Sequence, residues 1–103
     1  MEVIYLPRVK RTLERLDDVL VERVARSVDF LEKYGNLIEM PISKPLDKGL
    51  FELRITGNNH IRIFYCFHKN AIYLVHSITK KQKAISQRDM LLARKVMKQI
   101  KLL

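Results

Sequence analysis

Two arginines and a cluster of lysines are the residues of this chain best suited to chemistry. Arg54 and Arg62 sit in neighbouring apolar segments, and Lys80-Lys81-Gln82-Lys83 follows the next one. Paired guanidinium forks grip the non-bridging oxygens of a phosphate. A lysine crowded by other cations loses its proton more readily than an isolated one. Together these groups suit a site that grips a phosphate. Cys66 is the sole cysteine. It has no partner for an internal disulfide, no Cys/His cluster has zinc-ligand spacing, and a structural thiol is the better reading. No metal is expected, and a reducing cytoplasmic setting fits.

The charge distribution supports an anionic partner. The 103 residues carry 20 Lys/Arg against 11 Asp/Glu, a net charge of +9. Residues 1–79 hold 12 of the cations and 10 of the acids, whereas residues 80–103 hold 8 cations and one acid, Asp89. So basic a tail expects nucleic acid, an acidic protein segment or a membrane surface. No apolar run approaches the ~20 residues that span a bilayer, and the N-terminus lacks the features of a secretory signal.

The elements that must position these groups follow from periodicity, and one domain over 1–103 is expected. Glu2 to Leu6 reads as a short strand, and Pro7 suits a helix start. Leu13, Leu16, Leu20, Val24, Val28 and Leu31 recur at helical spacing. Asp17-Asp18 breaks that stretch into a helix pair and Gly35-Asn36 ends it. Residues 37–50, with Pro41, Pro45 and Gly49, read as a connector. Phe51–Thr56, His60–Phe67 and Ile72–Thr79 alternate as strands. Ser86 and Asp89 form a capping-box pattern before a last helix with an apolar stripe of Met90, Ala93, Met97 and Ile100. The fold class is α+β: an N-terminal strand and helical pair, an antiparallel sheet of three further strands and a C-terminal helix.

Register turns this order into geometry. A three-residue loop at Gly57-Asn58-Asn59 sets Arg54 opposite Arg62 and Glu52 opposite Phe64. A turn at Lys69-Asn70 pairs Arg62 with Ser77 and Ile63 with His76. One face then collects Phe51, Leu53, Ile55, Ile61, Ile63, Tyr65, Phe67, Ile72, Leu74, His76 and Ile78. The other collects Glu52, Arg54, Thr56, His60, Arg62, Phe64, Tyr73, Ser77 and Thr79, with Cys66 also alternating outward. Two arginines face to face cost some fraction of ~1 kcal/mol, which Glu52 relieves in part. A purely structural sheet has no need of that arrangement; a phosphate grip does. His76 reads as a core histidine, or as a neighbour of Arg62 if the second register shifts by one residue. His60 reads as a surface residue at a strand start and His68 as a turn residue.

Gly49-Leu50-Phe51-Glu52-Leu53-Arg54, Ile61-Arg62-Ile63-Phe64-Tyr65 and Ile78-Thr79-Lys80-Lys81-Gln82-Lys83 resemble blocks of the RelE/ParE toxin superfamily, closest to its phage-derived HigB-like branch. The resemblance implies a RelE-like sandwich and the toxin of a type II toxin–antitoxin pair. It implies a metal-independent, ribosome-dependent mRNA endonuclease that uses the RNA 2′-hydroxyl as nucleophile. Arg54 and Arg62 would stabilise the phosphorane, and Lys81 or Lys83 would serve as acid or base. Lys80, Gln82, Lys44, His60 and Tyr73 would contact RNA, with Tyr73 and Phe64 able to stack on a base. Ile85-Ser86-Gln87 stands where many relatives carry a tyrosine, so the acid and base stay unassigned.

The expected partners are a cognate antitoxin of helix-turn-helix type, mRNA and the ribosomal A site. No small-molecule cofactor and no membrane are expected. Two alternatives stand beside this reading. A ParE-like relative would inhibit DNA gyrase, and a non-catalytic nucleic-acid-binding module would show only salt-dependent binding.

Overall fold

A computed structural model describes residues 1–35, 43–55, 61–79 and 84–103. Among them the chain forms β1 (Glu2–Tyr5), α1 (Pro7–Glu14), α2 (Asp18–Tyr34), β2 (Ser43–Asp47), β3 (Leu50–Ile55), β4 (Ile61–His68), β5 (Ala71–Ile78) and α3 (Gln87–Lys101). The strands make one five-stranded sheet in the order β1-β5-β4-β3-β2. β1 runs parallel to β5, and the other pairings are antiparallel. This is the expected mixed α+β architecture with its C-terminal helix.

Local chemistry sets the helix ends. Pro7 occupies the first turn of α1, where its missing N–H costs nothing. Asp17 separates the helix pair, its carboxylate accepting the Leu20 N–H at 2.9 Å. Gly35 ends α2 with φ +56, a conformation that penalises a Cβ.

One expectation about the connector fails. It contains a fifth strand, β2. Pro45 argued against a strand, but β2 lies at the sheet edge, where the missing N–H takes nothing from an interior ladder.

Helices cover both sheet faces. On one, Leu53, Ile55, Ile61, Ile63, Tyr65, Ile72 and Leu74 pack with Val9 and Leu13 of α1 and Leu20, Val24, Val28 and Leu31 of α2. On the other, Leu50, Phe64, Cys66, Val75 and Ile78 pack with Ala93, Met97 and Ile100 of α3. Burying each large apolar side chain stabilises the fold by about 1.5–3 kcal/mol. The face read as outward is therefore largely buried: Phe64 and Cys66 are both fully inaccessible, and burial pushes the Cys66 thiol up despite Lys101 nearby.

The β3–β4 register is as expected, with Arg54 opposite Arg62 and Glu52 opposite Phe64. The β4–β5 register holds beside the turn, where His68 pairs with Ala71 and Tyr65 with Leu74. It then slips at a bulge. Phe64 pairs with His76, Ile63 with Ser77 and Arg62 with Ile78. Val75 is the extra residue, so Val75 and His76 both belong to the α3 side. This corrects the placement of His76 and Ile78, which leave the helix-pair face, and of Ser77, which takes a place opposite Ile63 on it.

Candidate functional site

The bulge assembles two cross-strand rows on the α3 face. Pairing from β2 to β5 gives Lys44–Glu52–Phe64–His76 as one row. The next is Arg54–Arg62–Ile78, at the end of the sheet where β5 leaves toward α3. Residues directly opposite one another share a face. Arg54, Arg62 and Lys44 are thus brought together, and the new strand is what recruits Lys44.

Glu52 organises the arginines. Its carboxylate is fully buried, which is costly unless the charge is matched. Its Oε1 accepts from Arg54 Nε at 2.5 Å, and its Oε2 lies 3.8 Å from Arg62 Nε. The second contact is an ion pair too long for a hydrogen bond. One carboxylate between two guanidinium groups offsets their repulsion and leaves a net positive charge. Arg54 spends one of five N–H donors on Glu52 and keeps its side chain about a third exposed. Arg62 is more enclosed, at 13%. The sequence pointed to Glu52 as a partial relief of repulsion; burial makes it the anchor of the pair.

A second polar group stands in the same row. His76, 8% exposed, packs against Phe64 with ring centroids 5.6 Å apart. His76 Nε2 meets Asp89 Oδ1 at 2.8 Å. Asp89 Oδ2 accepts from the Ser86 hydroxyl at 2.7 Å, and the Asp89 N–H donates to Ser86 Oγ at 3.1 Å. Burial pushes the Asp89 carboxyl up. The hydrogen bonds from His76 and Ser86, with the His76 and Arg88 charges, outweigh it and hold the group below the usual carboxylate range. An ionised Asp89 only accepts, so Nε2 carries the proton. His76 Nδ1 is buried without a hydrogen bond among the described residues. The capping-box pattern thus has a second purpose: Asp89 ties the first turn of α3 to β5. Alternation read through an unbroken strand could not foresee the pairing, although a one-residue shift was the signal for it.

Other expected site residues fall differently. Tyr73 pairs with Cys66, four residues along β4 from Arg62, or about 13 Å at the usual strand rise. It lies near His68, with ring centroids 6.3 Å apart, at the far end of the sheet. Phe64 is too buried to stack on a base. His68 ends β4, and its Nε2 meets the Leu103 carbonyl at 3.2 Å. Lys80, Lys81, Gln82, Lys83 and His60 lie outside the described residues. Among the described residues no cluster of His, Cys, Asp and Glu could hold a metal ion, and no helix is long and apolar enough to cross a membrane.

The chain matches the family described as phage-derived protein Gp49-like over residues 11–98. It belongs to that family. Gp49-like proteins are toxin-like proteins of the RelE/HigB type. The Gp49-like match spans the α1–α3 region and so includes Lys44, Glu52, Arg54, Arg62, His76 and Asp89. No curated protein matches the chain.

Proposed function

We propose that this Gp49-like chain is the toxin of a type II toxin–antitoxin pair, of the HigB branch, and cleaves mRNA on the ribosome. The observation that carries the reading is the Arg54–Arg62 pair seated on a buried carboxylate. Preorganised cations of this kind stabilise a phosphorane without reorganising during the reaction. In this reading the RNA 2′-hydroxyl attacks the neighbouring phosphorus, the 5′-oxygen leaves, and a cyclic phosphate remains. Arg54 and Arg62 hold the equatorial oxygens, and Lys44 contacts the backbone. Lys81 and Lys83 are the candidates for taking and returning the proton, and Lys80 and Gln82 for binding RNA. The site needs no metal. The protein would act in the cytoplasm, held inactive by a cognate antitoxin of helix-turn-helix type.

The test is a reporter mRNA translated with purified protein, with 5′ ends mapped. Cleavage that requires ribosomes is expected. Arg62→Ala should lower the cleavage rate per folded molecule by roughly 100-fold or more, beside a lowered melting temperature because the buried Glu52 loses a matching charge. An intact message with and without ribosomes would refute the reading. Loss of gyrase supercoiling in a parallel assay would favour a ParE-like action instead.

A further inference from the structure

The outer side of α3 has no role in the site just described. Its inner stripe, Ala93, Met97 and Ile100, is buried, while Leu91 is 63% exposed between cationic turns. A groove of about 510 Å³ runs between α3 and the β2–β3 turn, lined by Asp47, Lys48, Leu91, Arg94, Lys95 and Lys98 among others. A second, of about 340 Å³, adjoins it across Leu91 and Arg94 and reaches Ile85 and Met90. Arg94 bonds Asp47 at 2.6 Å, so those two charges answer each other. Lys48, Lys95 and Lys98 have no ion-pair partner among the described residues.

We infer that this groove docks an acidic, amphipathic helical segment of a partner protein. Leu91, with Met90 and Ile85 beside it, offers an apolar seat to aliphatic side chains. Lys48, Lys95 and Lys98 rim it and match carboxylates on successive turns of the incoming helix. Both features are needed to choose the occupant. A cationic rim alone suits any polyanion, but a phosphodiester chain has no aliphatic group to cover Leu91. Cations around an apolar seat fit acidic residues flanking leucine-like ones.

The inference stands apart from the RNA reading, and its test keeps the two separate. The probe is a synthetic peptide of about 14 residues, roughly four turns when helical, with leucines on one helical face and glutamates elsewhere. Binding to the whole protein is followed by fluorescence anisotropy, beside a peptide of the same composition with its leucines scattered and a short single-stranded RNA. The one-faced peptide should bind more tightly than the scattered one. Reversing charge with Lys95→Glu and Lys98→Glu together should weaken it roughly tenfold or more. Leu91→Gln, which keeps helix propensity, should weaken it severalfold while leaving RNA affinity unchanged. Arg62→Ala should leave peptide binding intact whether or not the protein cleaves RNA. Equal binding of the two peptides, indifference to Leu91→Gln, or loss of RNA rather than peptide in these variants would overturn the proposal.

Discussion

The two faces of the sheet are both buried, yet they are built differently. Toward α1 and α2 the core is almost wholly apolar, and the polarity it buries is uncharged hydroxyl: those of Ser43 and Tyr65 meet at 2.5 Å, and that of Ser77 has no hydrogen bond among the described residues. Toward α3 the apolar core of Leu50, Phe64, Cys66, Val75 and Ile78 shares the face with charged and polar groups. Glu52, Arg54, Arg62, His76 and Asp89 stand among and beside those apolar side chains, away from the β4–β5 turn. Charged groups in a low-dielectric setting are costly to leave unmatched and effective when held in place. The first face supplies stability; the second spends some of it on fixed charge. That asymmetry is what makes the α3 side the candidate working surface.

The sharpest way to break this division is to cut one large side chain from each face. Phe64→Ala should cost about 3–5 kcal/mol and Leu53→Ala about 2–5 kcal/mol, read from denaturant midpoints. Only Phe64→Ala should also slow cleavage per folded molecule, because Phe64 stands between Glu52 and His76. A comparable slowing by Leu53→Ala would dissolve the distinction. Glu52→Gln comes next. It keeps the shape, removes the charge between the arginines, and should cost about 1–3 kcal/mol while lowering the cleavage rate.

Asp89→Asn should cost about 1 kcal/mol for each hydrogen bond it weakens. Its pH dependence has a definite sign. The folded carboxyl sits below its unfolded value of about 3.9, so its contribution is complete above that pH. It disappears as pH falls through the lower folded value, and the stability gap between wild type and variant should close there. A gap that widened on acidification would contradict the proposed network. The smallest effect belongs to Tyr65→Phe, about 1 kcal/mol, with cleavage untouched.

Much of this layout is readable without coordinates. Asp17, Gly35 and Ser86 announce helix ends because each solves a local hydrogen-bonding or backbone problem. The Arg54–Arg62 opposition follows from alternation around a short loop, since sliding by one residue would part Leu53 and Ile55 from Ile63 and Ile61 on their shared face. Three features escape. β2 hides behind Pro45, whose cost depends on lying at an edge or inside a sheet, a property of the whole fold. The burial of Phe64 and Cys66 depends on where α3 docks, which periodicity within the strand does not encode. The His76–Asp89 contact joins residues on different elements across a bulge that leaves no composition signature.

The Val75 bulge gives the hairpin two independent phases. The half near Lys69 and Asn70 keeps the pairing dictated by the turn, and the half near Arg62 keeps a pairing offset by one. The turn can therefore vary without rotating His76 away from Asp89. Keeping Val75 but pairing the strand in one continuous register would set His76 opposite Ile63, on the other side of the sheet, and part β5 from the first turn of α3. A single backbone insertion thus works as a frame marker, separating the part of the strand that folds the hairpin from the part that presents the site.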